Sequence, residues 1–209
     1  MLDYVGIVKE FHLAFGQAAP DTETELDQKT RDLRVRLVLE EYLETVNALS
    51  TPGEVDRVEL ADGLADLIYV LAGTLASAGA RFSDITEEAF NFFEPNAKLA
   101  NARDINKADA IAAMGESVNL VKYGLVYEND RVLKAGADML LQDILAIAEG
   151  YNIPIETVFT EVHRSNMSKL GADGKPIRDA TGKVVKGPNF FRPDIKKILD
   201  AHTSIQATP

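Results

Sequence analysis

LVLEEYLETVNAL, residues 37–49, and VELADGLADLIYVLAGTLASAG, residues 58–79, decide the fold. In both, apolar side chains recur every three or four residues, the period of a helix with a buried face. The second stretch is apolar on most faces, which predicts a central helix. Ser50, Thr51, Pro52 and Gly53 break the chain between them. So short a connection makes the two helices antiparallel neighbours. Each carries acids beside its apolar stripe: Glu40, Glu41 and Glu44 on the first, Glu59, Asp62 and Asp66 on the second. Glu40 and Glu44 are one turn apart, as are Glu59 and Asp62, and Asp62 and Asp66, so each set shares a face.

Most Glu-rich helix faces are solvated surface, and a lone ExxE says little. Two sets on adjacent helices, both flanking core-forming side chains, say more. Carboxylates at the edge of a core repel one another and lose solvation. Mg²⁺ relieves both, because it takes carboxylate oxygens and keeps positions for water and phosphate. Hydrolysis of a nucleoside triphosphate needs charge neutralisation, an aligned water and a base. Glu40, Glu44, Asp62 and Asp66 suit ion binding, and Glu41 or Glu59 would orient or deprotonate the water. All are carboxylates, so spacing does not divide ligand from base.

Outward from this pair, helical periodicity continues. It predicts helices at about 2–16, 28–49, 54–79, 84–104 with a break at Pro95, 106–126, 131–150, 155–169 and 194–201. From Gly171 to Asp194 the chain is rich in glycine, proline and lysine. KPIR and KVVK around DATG fit a small β-hairpin, or an irregular loop, at about 175–187. The expected fold is all-α, a single domain over 1–209 with an inserted helical segment at about 85–154 and a small loop or hairpin near the C-terminus. Within the insertion, AMGESVNLVKYG and GADMLLQDILAIAEG echo the acidic helices, with Glu116, Asp138 and Asp143 near the acid positions. Any two helical hairpins share apolar periodicity, so chance is favoured, and a degenerate second repeat is the alternative.

Composition excludes several classes. The 209 residues are 46% hydrophobic, enough for a sizeable core. The formal net charge of −11 argues against binding a nucleic acid polymer through a basic surface. No uninterrupted apolar run is long enough for a membrane span. The N-terminal MLDYVGIVKEFHLAFG carries acids and a lysine where a signal peptide would be basic, then apolar. Cysteine is absent, which removes disulfides and thiolate-ligated zinc and fits the cytoplasm. No P-loop, dinucleotide-binding glycine pattern or nucleophile elbow appears.

A second constellation, EVHRSNMSK at 161–169, puts Asn166 and Lys169 three residues apart at a helix end. An amide and a lysine there suit phosphate or sugar oxygens, although a lysine also complements a helix C-terminus. Lys175, Lys183 and Lys186 follow in the glycine-rich segment, as a basic lid or as a solvated connection. His12 lies on an apolar helix, in packing or against a nucleobase. Arg34, six residues before the first acid, could pair with an acid or a phosphate. Tyr69 is expected in the core.

In order along the chain, FHxxFG at 11–16, RxxLxxEExxE from Arg34 to Glu44, LADLIYVLAG at 64–73, EVHRSNMSK at 161–169 and KGPNFFRPD at 186–194 resemble the MazG-like all-α nucleoside triphosphate pyrophosphohydrolases. The similarity extends to the MazG-like dUTP pyrophosphatases and to the phosphoribosyl-ATP pyrophosphohydrolase branch, and covers residues 1–84 and 155–195. It implies a helical bundle working as a homodimer or homotetramer. It also implies Mg²⁺- or Mn²⁺-dependent cleavage of a (d)NTP between the α and β phosphates, giving a nucleoside monophosphate and pyrophosphate. The EExxE of the family falls on Glu40, Glu41 and Glu44. Its ExxD puts the aspartate at Asp66 but meets Gly63 where glutamate is expected, so Asp62 is the candidate replacement. Asn166, Lys169, Arg34, His12 and Lys186 are the candidate substrate contacts.

Two other classes stay open: a non-catalytic metal- and nucleotide-binding helical sensor, and an oligomerisation module with solvated acids. The apolar breadth of the 58–79 helix itself predicts a homo-oligomer, since one short bundle would not cover it.

Overall fold

The computed structural model describes residues 2–82, 105–179 and 184–206. Among them run α1 (Tyr4–Ala14), α2 (Gln28–Ser50), α3 (Arg57–Ser77), α4 (Lys107–Val126), α5 (Asp130–Gly150), α6 (Ile155–Met167) and α7 (Ile195–Gln206). The described residues are all-α, as the periodicity requires. The helix expected at 84–104 lies outside them. Pairing in the C-terminal segment is limited to the isolated bridges Leu170 with Pro176 and Arg178 with Val184, with Val185 N donating to Ile177 O at 2.9 Å. Residues 180–183, the expected turn, are again outside the described residues.

Side-chain caps set the helix starts. The carboxylate of Asp56 accepts from the backbone N–H groups of Val58 and Glu59, so α3 begins at Arg57, not at 54. Asp27 caps α2, Asn106 caps α4 and Asn129 caps α5 in the same way. The last helix runs to Gln206, beyond the expected 201. Ile195 and Leu199 are buried on one face, and Lys196 pairs with Asp200 at 2.7 Å on the other.

α3 is the axis of the fold, with Leu60, Leu64, Leu67, Ile68, Leu71 and Leu75 fully buried. It is the one described helix long and apolar enough to cross a membrane, and 83% of its most apolar window is buried inside the fold, as in a core helix. α1, α2, α5, α6 and α7 all pack against it. The insertion supplies part of this cover. α4 and α5 form a tight hairpin laid on the first, α4 against α2 and α5 against α3. The approach is close because of glycine: a Cβ on Gly136 would lie 2.7 Å from the Val121 backbone nitrogen. The apolar faces of α3 are thus covered within one chain. The argument from its breadth to a homo-oligomer loses its premise, and that expectation rests on the family resemblance alone.

Candidate active site

α2 and α3 cross where Thr45 faces Gly63. A Cβ on Gly63 would stand 3.0 Å from Thr45 Oγ1 and 3.3 Å from Thr45 Cα. This accounts for the departure from the family pattern. Position 63 is the contact point between the helices, and a glutamate there would strike the α2 backbone. Asp62, the preceding residue, remains the candidate replacement.

The acids of both helices share one electrostatic field. Burial raises the Glu41 carboxyl from 4.5 to about 7, with Glu44, Glu40 and Asp62 adding to the shift. Burial raises Asp66 from 3.8 to about 8, followed by Asp62 and Glu41, with Lys169 pulling it down and Glu44 pushing it up. Asp62 is raised by burial, then by Glu59 and Glu44. Glu40, Glu41, Glu44, Asp62 and Asp66 therefore gather as expected, with Glu59 at the edge. Among the described residues, no group of three acidic or histidine side chains forms a ready-made metal cluster. The donor set still fits a hard divalent cation: it is all carboxylate oxygen, partly desolvated and mutually repelling.

Lys169 faces these acids from the end of α6. Burial lowers its pKa, Asp66 raises it and Lys186 lowers it. Its Nζ donates to Asn166 Oδ1 at 2.6 Å, and Asn166 also bonds the Tyr69 hydroxyl. The returning segment 184–191 is fastened to the same helix end. Gly187 N donates to Lys169 O at 3.1 Å, Phe191 N to Ser168 Oγ at 3.1 Å, and Ser165 Oγ to Phe191 O at 2.8 Å. That fastening brings Lys186 to Lys169 and seats its ammonium 4.4 Å from the Phe190 ring centroid. Of the three, Lys169 acts on Asp66 directly, while Asn166 and Lys186 stand behind it, one bonded to its ammonium and the other repelling it. Lys175 is exposed in the preceding turn, and Lys183 lies outside the described residues.

Arg34 and His12 are brought to each other, not to the acids. Arg34 Nη2 donates to Ser77 Oγ at 2.7 Å and lies 3.3 Å from His12 Nε2. Burial, then the guanidinium, lowers His12 to about 4, so it is neutral at physiological pH and accepts through Nε2.

Two further residues border the site. Tyr69 Oη lies 3.1 Å from His163 Nδ1, and His163 Nε2 lies 3.8 Å from a Glu10 carboxylate oxygen. The Tyr69 ring packs edge-on to Phe11 at 5.6 Å between centroids. Its place three residues after Asp66 was the one available sequence signal for a role at the site, since it puts Tyr69 one turn along from an acid.

Residues 8–91 match the family model of the phosphoribosyl-ATP pyrophosphohydrolases, a stretch that contains the whole α2–α3 acidic hairpin. The chain therefore resembles the MazG-like nucleotide pyrophosphohydrolases over the elements that carry its acids. A crystal structure from Exiguobacterium sp. 255-15, provisionally assigned as an NTP pyrophosphohydrolase, aligns with 98% of this chain and 96% of its own. At 21% identity and a TM-score of 0.49, that overlap is too loose to bear on fold or activity. No curated protein matches the sequence significantly.

Proposed function

We propose that the α2–α3 groove hydrolyses a (d)NTP between its α and β phosphates, releasing a nucleoside monophosphate and pyrophosphate. One observation carries the reading: carboxylates from two crossing helices are raised by burial and by one another, and Lys169 acts on one of them, Asp66. The family match over residues 8–91 supports nucleotide pyrophosphohydrolysis as the reaction class.

Glu40, Glu44, Asp62 and Asp66 are the residues that would hold Mg²⁺ or Mn²⁺. When bound, the ion neutralises phosphate oxygens and lowers the pKa of a coordinated water. Glu41 is the proposed base. Burial and the neighbouring carboxylates raise its proton affinity, which suits a group that takes a proton from water. Lys169, beside Asp66, and Lys186, beside Lys169, would supply positive charge for the phosphates, and Asn166 orients Lys169 through its amide oxygen. A homodimer or homotetramer is proposed from the resemblance only.

A sensor that binds metal and nucleotide without turnover would use the same acids. Pyrophosphate release from a panel of (d)NTPs with Mg²⁺ separates the two. Turnover of at least one nucleotide, lost in Glu41→Gln, supports the enzyme. Tight nucleotide binding without turnover across the whole panel would leave only the sensor.

A further inference from the structure

Arg34 is 6% exposed and lies at the floor of a cavity of about 580 Å³. Gln17, Pro20 and Thr24 from the loop after α1 form one side of it, and Thr30 and Ser77 from α2 and α3 the other. The guanidinium is held in place but not neutralised. Its two side-chain partners, Ser77 and His12, are uncharged. Ser77 is itself committed, donating from Oγ to Gly73 O at 2.9 Å. The Nε of Arg34 is buried without a hydrogen-bond partner. Among the described residues, no carboxylate lies within ion-pair distance of it. Glu25 and Asp27 also line the cavity, but Asp27 is occupied in capping α2, accepting from Thr30 N at 2.7 Å. Burial alone shifts the guanidinium, downward to about 10, so it remains charged. A buried, oriented and unpaired guanidinium is costly unless an anion completes it.

We propose that this cavity is an oxyanion subsite, distinct from the carboxylate groove, in which the Arg34 fork binds a phosphate group. Arg presents a planar fork suited to phosphate oxygens. Gly73 leaves room for the guanidinium against α3, since a Cβ there would come within 3.1 Å of both Arg34 Nη1 and His12 Nε2. Arg34 precedes Glu41 by seven residues on the same face of α2, which sets the two sites about 10 Å apart along the helix. A phosphate at Arg34 can therefore belong to the molecule held by the acids or to a separate phosphorylated ligand.

The test needs neither metal nor turnover. The full-length protein is titrated with inorganic phosphate in EDTA by calorimetry, and the Arg34 Nε–H resonance is followed by ¹⁵N NMR in the unmutated protein. Phosphate should bind and shift that resonance. Arg34→Gln should weaken binding at least tenfold, while Asp66→Asn in the acidic groove should leave it intact. The NMR shift is read without any substitution, so it stands if Arg34→Gln does not fold. No binding to the unmutated protein, an unmoved Arg34 resonance, or undiminished binding in folded Arg34→Gln overturns the subsite. Because no nucleotide is cleaved, the result is independent of the proposed hydrolase. A second titration, Mg²⁺ and a (d)NTP against protein saturated with phosphate, assigns the source. Weakened nucleotide binding places the phosphate on the same molecule, and unchanged binding places it on a separate ligand.

Discussion

Asp66→Asn should stabilise the metal-free protein, and more so as the pH rises. Burial, with Asp62 and Glu41 beside it, moves the Asp66 carboxyl from 3.8 to about 8. The unfolded chain releases this proton near the lower value, whereas the folded protein keeps it to the upper one. Between the two, the folded state binds more protons, so stability falls with rising pH. One pH unit is worth about 1.4 kcal/mol, so from about pH 5 to about pH 8 this single group removes on the order of 4 kcal/mol. Asparagine is nearly isosteric and carries no such penalty. Urea unfolding in EDTA across that range reads the difference: the unmutated protein should lose stability steeply and Asp66→Asn much less. Added Mg²⁺ should restore the unmutated protein at high pH and leave the variant almost unchanged, because only a ligand bound by the folded state shifts the equilibrium. Parallel pH slopes for the two proteins in EDTA would refute the reasoning, since Asp66 would then titrate alike in the folded and unfolded chains.

Other outcomes follow from the same geometry. Glu41→Gln should cut pyrophosphate release by on the order of a hundredfold or more, with the metal-free melting temperature level or higher; a calorimetric scan beside the assay reads both. Gly63→Ala should destabilise by roughly 1–3 kcal/mol, because the new Cβ presses on Thr45 at the α2–α3 crossing; denaturant unfolding measures it, and a neutral result would remove the packing explanation for glycine at this position. Lys169→Met should lower the Asp66 pKa no further and instead raise it, since the lysine is the group that pulls it down; NMR titration of the Asp66 carboxyl shows the direction.

The helices, the centrality of α3 and the meeting of the two acidic sets were legible because each rests on local spacing. Asn166, Lys169 and Lys186 were legible as basic and amide groups near a helix end. Lys169 reaches Asp66 because α6 packs on α3, and Lys186 reaches Lys169 because residues 184–191 are fastened onto the end of α6, long-range contacts that no spacing encodes. Gly63 read as a broken motif. Its meaning as the crossing point appears only when Thr45 is seen opposite it. His12, Arg34 and Ser77 come from three different helices, so their cluster carried no one-dimensional signature. The breadth of the apolar surface on α3 was read correctly, but it does not call for a second chain, because helices of this chain cover it. α5 provides part of that cover from within the insertion, where apolar periodicity does not say which surface a helix will meet.

The most direct test of the carboxylate groove is a ³¹P NMR time course on a (d)NTP substrate drawn from the panel, with Mg²⁺, for the unmutated protein and for Glu41→Gln. The account predicts growth of nucleoside monophosphate and pyrophosphate signals in equal amounts, with no nucleoside diphosphate, in the unmutated protein only. Formation of nucleoside diphosphate and orthophosphate, or equal turnover in Glu41→Gln, would contradict it.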